Sequence, residues 1–249
     1  MSRGDLERAL RRPEGPSIVA YLTGAHPDRD TFLGCLASLE READAIEIGI
    51  PFSDPMADGA TIQRASRVAL SAGATIGGIL DDLASHPAKR PRVLMSYLNP
   101  LLSLAPSDLA PRLRAAFVSG VVIPDLPFEE SGALRAALAT EDIALVPMIT
   151  PLTREARMHA IVAEARGFVY AVTSTGITGQ RIDANDALTR YLARARAMSP
   201  APVIAGFGVR TREHVSALCP PADGVVVGSA IVEAVEAGAP LDALVRSLR

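Results

Sequence analysis

Eight short runs of apolar, largely β-branched residues punctuate the chain: SIVAYLT (17–23), AIEIG (45–49), RVLMSY (92–97), GVVIP (120–124), IALVPM (143–148), FVYAVT (168–173), PVIAG (202–206) and GVVVG (224–228). They are nearly continuous rather than alternating, the pattern of parallel strands covered on both faces. Between them lie stretches of helical period, among them DTFLGCLASLEREA, TIQRASRVALSAG, ESGALRAALATE, TREARMHAIVAEA and TREHVSALC, several opening on Ser, Thr or Asp as natural caps. A further helix is expected around Gly4–Arg11, ahead of the first strand. Eight strands in 249 residues predict an α/β protein folded as one (β/α)₈ TIM barrel over residues 1–249, with an open doubly wound sheet as the alternative.

In such a barrel the chemistry sits where strands end, in the loops that lead into helices. The second strand and its loop read EIGIPFSDPMADGATIQ (47–63) and put two carboxylates, Glu47 and Asp58, at that end. Alternation turns Ile46 and Ile48 one way and Ala45, Glu47 and Gly49 the other, so the acid points into a confined space beside its smallest neighbours. The groups left for proton transfer are the carboxylates Glu47, Asp54, Asp58 and Asp125. Tyr21, Tyr97 and Tyr170 are phenols near strand ends, and Asp54 and Asp125 are expected in turn or interface roles.

Composition removes several chemistries. Lys89 is the only lysine and precedes a strand, on the wrong face for a Schiff base or a pyridoxal enzyme. His86 also precedes a strand and His159 and His214 lie in helical stretches. His26 alone falls at the functional end, where it is expected as a surface loop residue. No metal and no cofactor are therefore expected. Cys35 and Cys219 are expected as reduced, packed thiols. A net charge of −3 offers no basic face to nucleic acid or an anionic membrane. The charged start MSRGDLERALRRPEG lacks a signal-peptide core, and no run of eighteen apolar residues follows, so the expected location is the cytoplasm.

The last quarter carries GFG at 206–208 after the seventh strand and GSAIVEA from Gly228 after the eighth. Glycine-opened turns there, with a short helix after strand eight, bind phosphate through backbone N–H groups and the helix dipole in many barrels. TGITG (175–179) is positioned to add donors and a lid. Tyr21, Phe52, Ile62, Met95, Tyr97, Ile149 and Tyr170 are candidates for an apolar slot at the other end.

Taken in order, EIGIPFSDPMADGATIQ, LMSYLNP, IPDLPFEES, FVYAVTSTGITG, AGFGV and VVGSAIV resemble the tryptophan synthase alpha chain family over essentially the whole chain. The resemblance implies reversible retro-aldol cleavage of indole-3-glycerol phosphate to indole and glyceraldehyde 3-phosphate, in an α₂β₂ complex with a beta chain. It implies Glu47 as the acid–base group and Asp58 as the acceptor of the indole N–H. Gly179, Gly206, Gly208, Gly228 and Ser229 match its phosphate-binding positions, Tyr21, Ile62, Tyr170 and Phe207 its pocket walls, and Thr178 its lid threonine. Ser53 to Gly59, with Asn99, Pro100 and Asp125, matches the surface that meets the beta chain. The chain departs from the family at Ala60, where proline is usual, at His26, and at Ser174 and Thr175, where an arginine is frequent. Two other readings fit these residues: a free-standing paralogue that releases indole unaided, and a weakly catalytic subunit that regulates a partner enzyme. The presence of both carboxylates argues against the second.

Overall fold

A computed structural model describes residues 1–173 and 186–249. Ser174, Thr175, Thr178 and Gly179 lie outside the described residues. The apolar runs form β1 (Ser17–Thr23), β2 (Ala45–Gly49), β3 (Arg92–Met95), β4 (Val118–Val122), β5 (Ala144–Val146), β6 (Met148–Ile149), β7 (Val169–Val172), β8 (Val203–Gly206) and β9 (Gly224–Val227). Every pairing is parallel, in the order β5-β4-β3-β2-β1-β9-β8-β7-β6. The order is sequential around a ring whose two ends belong to one run, broken at Pro147. This is a nearly closed (β/α)₈ barrel, not an open doubly wound sheet.

The fifth run is thus two segments where the sequence predicts one strand. Proline has no N–H for the ladder. The chain jogs there, so that β5 pairs with β4 and β6 pairs with β7. The Pro147 carbonyl accepts from the Tyr170 N–H at 2.9 Å, which keeps the ring continuous across the break.

Side-chain alternation makes two apolar layers. Ile46, Ile48, Leu94 and Val121 face outward into a layer shared with the helices. Val19, Tyr21, Ala45, Val93, Met95, Val122, Tyr170, Ile204 and Val226 face inward and fill the barrel. The covering helices are α1 (Arg3–Leu10), α2 (Arg29–Glu42), α3 (Ala60–Ser71), α4 (Ile76–Ala84), α5 (Leu98–Leu102), α6 (Pro106–Ala115), α7 (Gly132–Ala139), α8 (Glu155–Ala163), α9 (Asp186–Met198), α10 (Arg212–Leu218), α11 (Ser229–Glu236) and α12 (Leu241–Ser247). Asp28 caps α2 and Thr211 caps α10 through their side chains. Thr61 and Thr153 do not cap their helices; each bonds elsewhere.

Helix α1 closes the amino-terminal end of the barrel. Its Ser2–Asp5 capping box fixes the entry, and Leu6 and Leu10, both fully buried, join the interior layer. Each such leucine contributes about 1.5–3 kcal/mol through burial. The same end holds a buried ion pair, Arg92 to Glu40 at 3.1 Å, with the Arg92 guanidinium also donating to the Leu83 carbonyl at 2.9 Å. With that floor plugged and stapled, the open face is the carboxyl end.

Candidate active site

Glu47 stands in register with Tyr21 on β1 and Val93 on β3, its side chain inside the barrel. It is fully buried, and neither carboxyl oxygen has a hydrogen-bond partner. A buried carboxylate without partners is costly, so the neutral acid is favoured. Burial, and secondarily the nearby Asp58, push its pKa up to about 8. At neutral pH Glu47 is a proton donor. Gly49 makes room for this arrangement, since a Cβ there would run into the Tyr21 phenol.

Asp58 arrives from the loop between β2 and α3. The Asp58 N–H bonds the Pro55 carbonyl at 3.2 Å, and the Gln63 side chain donates to the Asp58 carbonyl at 2.9 Å. Tyr97, at the end of β3, receives the Ala57 N–H on its hydroxyl at 2.8 Å and packs against Phe52 with ring centroids 5.3 Å apart. The Asp58 side chain is thereby held at the cleft, half-buried. Burial raises its pKa to about 6, partly offset by the Tyr97 hydroxyl. The two carboxylic acids therefore separate: near pH 7 Asp58 is ionised and Glu47 is not.

The opposite wall begins with β8. Phe207 and Gly208 follow it with φ of 77° and 85°. For phenylalanine that conformation costs on the order of 1–2 kcal/mol. It is held by Thr173, whose N–H and hydroxyl bond the Gly206 carbonyl at 2.9 and 2.7 Å. Gly206 has no Cβ to collide with Tyr170, whose ring lies over it and meets Phe207 edge-on at 5.8 Å. Next to this wall α11 starts at Ser229 behind Gly228, without a side-chain cap. Its first-turn N–H groups carry the positive end of the helix dipole.

These elements form a cleft lined by Tyr21, Glu47, Asp58, Ile62, Met95, Tyr170, Phe207, Gly208, Val209, Arg210, Val226, Gly228 and Ser229. Of the described residues that match the family's catalytic, pocket-wall and phosphate positions, only Gly206 falls outside the lining, and it supports Tyr170 from behind. Three candidates for the apolar slot are elsewhere. Ile149 faces the outer layer, while Phe52 and Tyr97 brace the Asp58 loop. Val209, Arg210 and Val226 were not anticipated. A position two residues beyond GFG was the available signal for Arg210. A wider cleft outside the barrel, beside α7 and α8, has its arginines already paired, Arg157 with Glu129 and Arg135 with Glu164.

His26 is not the surface residue its loop position suggests. It is 4% exposed, its Nε2 lies 3.8 Å from Glu236, and burial lowers its pKa. The loop folds inward there, because α3 and α11 pack together over the end of β1. Asp125 accepts the Leu98 N–H at 2.9 Å, tying the loop after β4 to the start of α5.

Comparison with known proteins follows the same line. A family model described as "Tryptophan synthase alpha chain" matches residues 8–246. Tryptophan synthase alpha chain of Desulfovibrio desulfuricans is 43% identical over 236 residues, covering 93% of this chain and 92% of that one. That of Bacillus cereus is 44% identical over 199 residues, covering 79% and 77%. A structure of Mycobacterium tuberculosis tryptophan synthase superposes with a TM-score of 0.90 at 34% identity, over 99% of this chain and 96% of that one. A chain of the tryptophan synthase a2b2 complex from Pyrococcus furiosus gives 0.85 at 35% identity, over 93% and 97%.

Proposed function

Since this chain belongs to the tryptophan synthase alpha chain family, we propose that it cleaves indole-3-glycerol phosphate reversibly to indole and glyceraldehyde 3-phosphate, as the alpha subunit in tryptophan biosynthesis. The observation that carries this reading is the buried, unpartnered Glu47 sharing a cleft with Asp58, opposite the open amino end of α11. Protonated Glu47 gives its proton to the indole ring carbon that bears the glycerol side chain. The ring becomes cationic, and ionised Asp58 accepts its N–H and stabilises that charge. The Glu47 carboxylate then takes the proton of the adjacent hydroxyl. The carbon–carbon bond breaks, its electron pair returns to the ring, and the hydroxyl carbon leaves as the aldehyde. Glu47 ends protonated, as it began.

Tyr21, Ile62, Tyr170 and Phe207 form the walls for the indole, and Gly208, Gly228 and Ser229 receive the phosphate. Thr178 and Gly179 are proposed from sequence alone as lid and phosphate contacts. The partner is a beta chain. Met56 and Leu102, 83% and 67% exposed, stand on the Asp58 loop and on α5 beside Asn99 and Pro100, an apolar surface suited to a protein contact. The test is indole release by the purified chain from indole-3-glycerol phosphate, with and without a beta chain. Cleavage stimulated by the beta chain is the expected result; no indole in either mixture overturns the lyase assignment.

A further inference from the structure

We propose that Arg210 is an anion-recognition side chain at the phosphate end of the cleft, held in place by Glu233. The inference rests on the reading of Gly208, Gly228 and Ser229 as the phosphate site. Among the described residues that line the cleft, Arg210 is the only cation. The single lysine, Lys89, sits between α4 and β3 at the other end of the barrel. Without Arg210 the positive potential for a phosphate dianion comes from backbone N–H groups and a helix terminus worth about half a charge. Asp58, ionised near neutrality, opposes it from across the same cleft.

The guanidinium is already oriented. Arg210 forks onto Glu233, with Nη1 3.2 Å from Oε1 and Nη2 against Oε2. Glu233 lies four residues after Ser229 on α11, hence on the same face of that helix. The tether therefore sets the cation alongside the helix terminus. Glu233 also accepts the Thr61 hydroxyl at 3.2 Å, and the neighbouring Arg64 is paired with Glu236 at 2.7 Å, so it does not compete. A guanidinium carries five N–H donors and Glu233 engages two of them. With the Arg210 side chain 38% exposed, the remaining donors are available to a ligand oxygen. The Arg210 backbone is fixed as well, its N–H donating to His214 Nδ1 at 3.2 Å. Glu233 acts here as a positioning residue.

Kinetics of the full chain with its beta chain test the assignment. Arg210→Gln is expected to raise the KM for indole-3-glycerol phosphate and the inhibition constant of glycerol 3-phosphate at least tenfold. The kcat should stay within about threefold, and the KM for indole in the reverse direction, which carries no phosphate, within twofold. A second readout needs no variant: glycerol 3-phosphate should slow phenylglyoxal modification of Arg210 in the wild-type chain, but not that of exposed Arg67, as read by peptide mass. Unchanged KM and inhibition constant in a folded Arg210→Gln chain, or modification of Arg210 indifferent to glycerol 3-phosphate, overturns the proposal. If the wild type is not inhibited by glycerol 3-phosphate and cleaves dephosphorylated substrate equally well, the phosphate-site reading itself falls, and Arg210's role with it.

Discussion

Replacing Glu47 with glutamine should make the protein more stable while removing its activity, and the gain should depend on pH in a calculable way. The group titrates near 4.5 when exposed and near 8 in the folded chain, chiefly because it is buried and secondarily because Asp58 is close. Between those values the folded chain holds a proton that the unfolded chain has released. The contribution of Glu47 is therefore fully present below the lower value and is lost as pH rises through the upper one. One pKa unit corresponds to about 1.4 kcal/mol. The wild type should then lose about 2–3 kcal/mol from this site between pH 5 and 7, and about 4 kcal/mol by pH 9. Glutamine has the same shape and no charge, so it escapes that loss. Urea unfolding of both proteins at pH 5, 7 and 9 measures it. The advantage of Glu47→Gln should widen by about 2–3 kcal/mol from pH 5 to 7 and level off above pH 9. A difference that stays constant across that range refutes the claim that burial holds Glu47 neutral.

The same two groups predict a bell-shaped pH profile for kcat. Activity should fall below about 6 as Asp58 protonates and above about 8 as Glu47 ionises; an Asp58→Asn variant with residual activity should lack the acid limb. Gly206→Ala places a methyl group against Tyr170. The expected cost is about 1–3 kcal/mol in unfolding free energy, together with a raised substrate KM as the ring shifts; unchanged values of both would show that the ring's position is not set by Gly206. Ala60 is the first residue of α3. Proline is suited to that position, so Ala60→Pro should stabilise the chain by about 0.4–1 kcal/mol in a thermal melt, and a loss of stability would count against the assigned helix start.

Much of this architecture is legible because buried parallel strands write themselves as apolar runs. The break in the fifth strand was visible only as Pro147 within an otherwise continuous run, and its effect depends on which neighbours pair on either side. The carboxylate pair was readable from the alternation in AIEIG and the loop after it. The pKa of Asp58 was not, since it depends on how far the loop is drawn in by Tyr97 and Gln63. The burial of His26 is not legible locally, because it arises from helices about 40 and 200 residues away closing over it, which local polarity does not report. Ile149, Phe52 and Tyr97 have the chemistry of pocket walls, but the pleat turns the first outward and the loop recruits the other two. Arg210 is not legible from the glycine turn, which signals backbone donors and says nothing of a side chain two positions on.

The central claim is that Glu47 moves the protons of carbon–carbon cleavage while taking little part in holding the substrate. Single-turnover mixing of excess wild-type or Glu47→Gln chain with indole-3-glycerol phosphate, following indole and measuring substrate affinity in the same samples, tests it directly. The account predicts an affinity within about twofold of wild type and a cleavage rate lower by at least about a thousandfold, within the range set by loss of a group that serves as both acid and base. Indole formation within tenfold of the wild-type rate would contradict it.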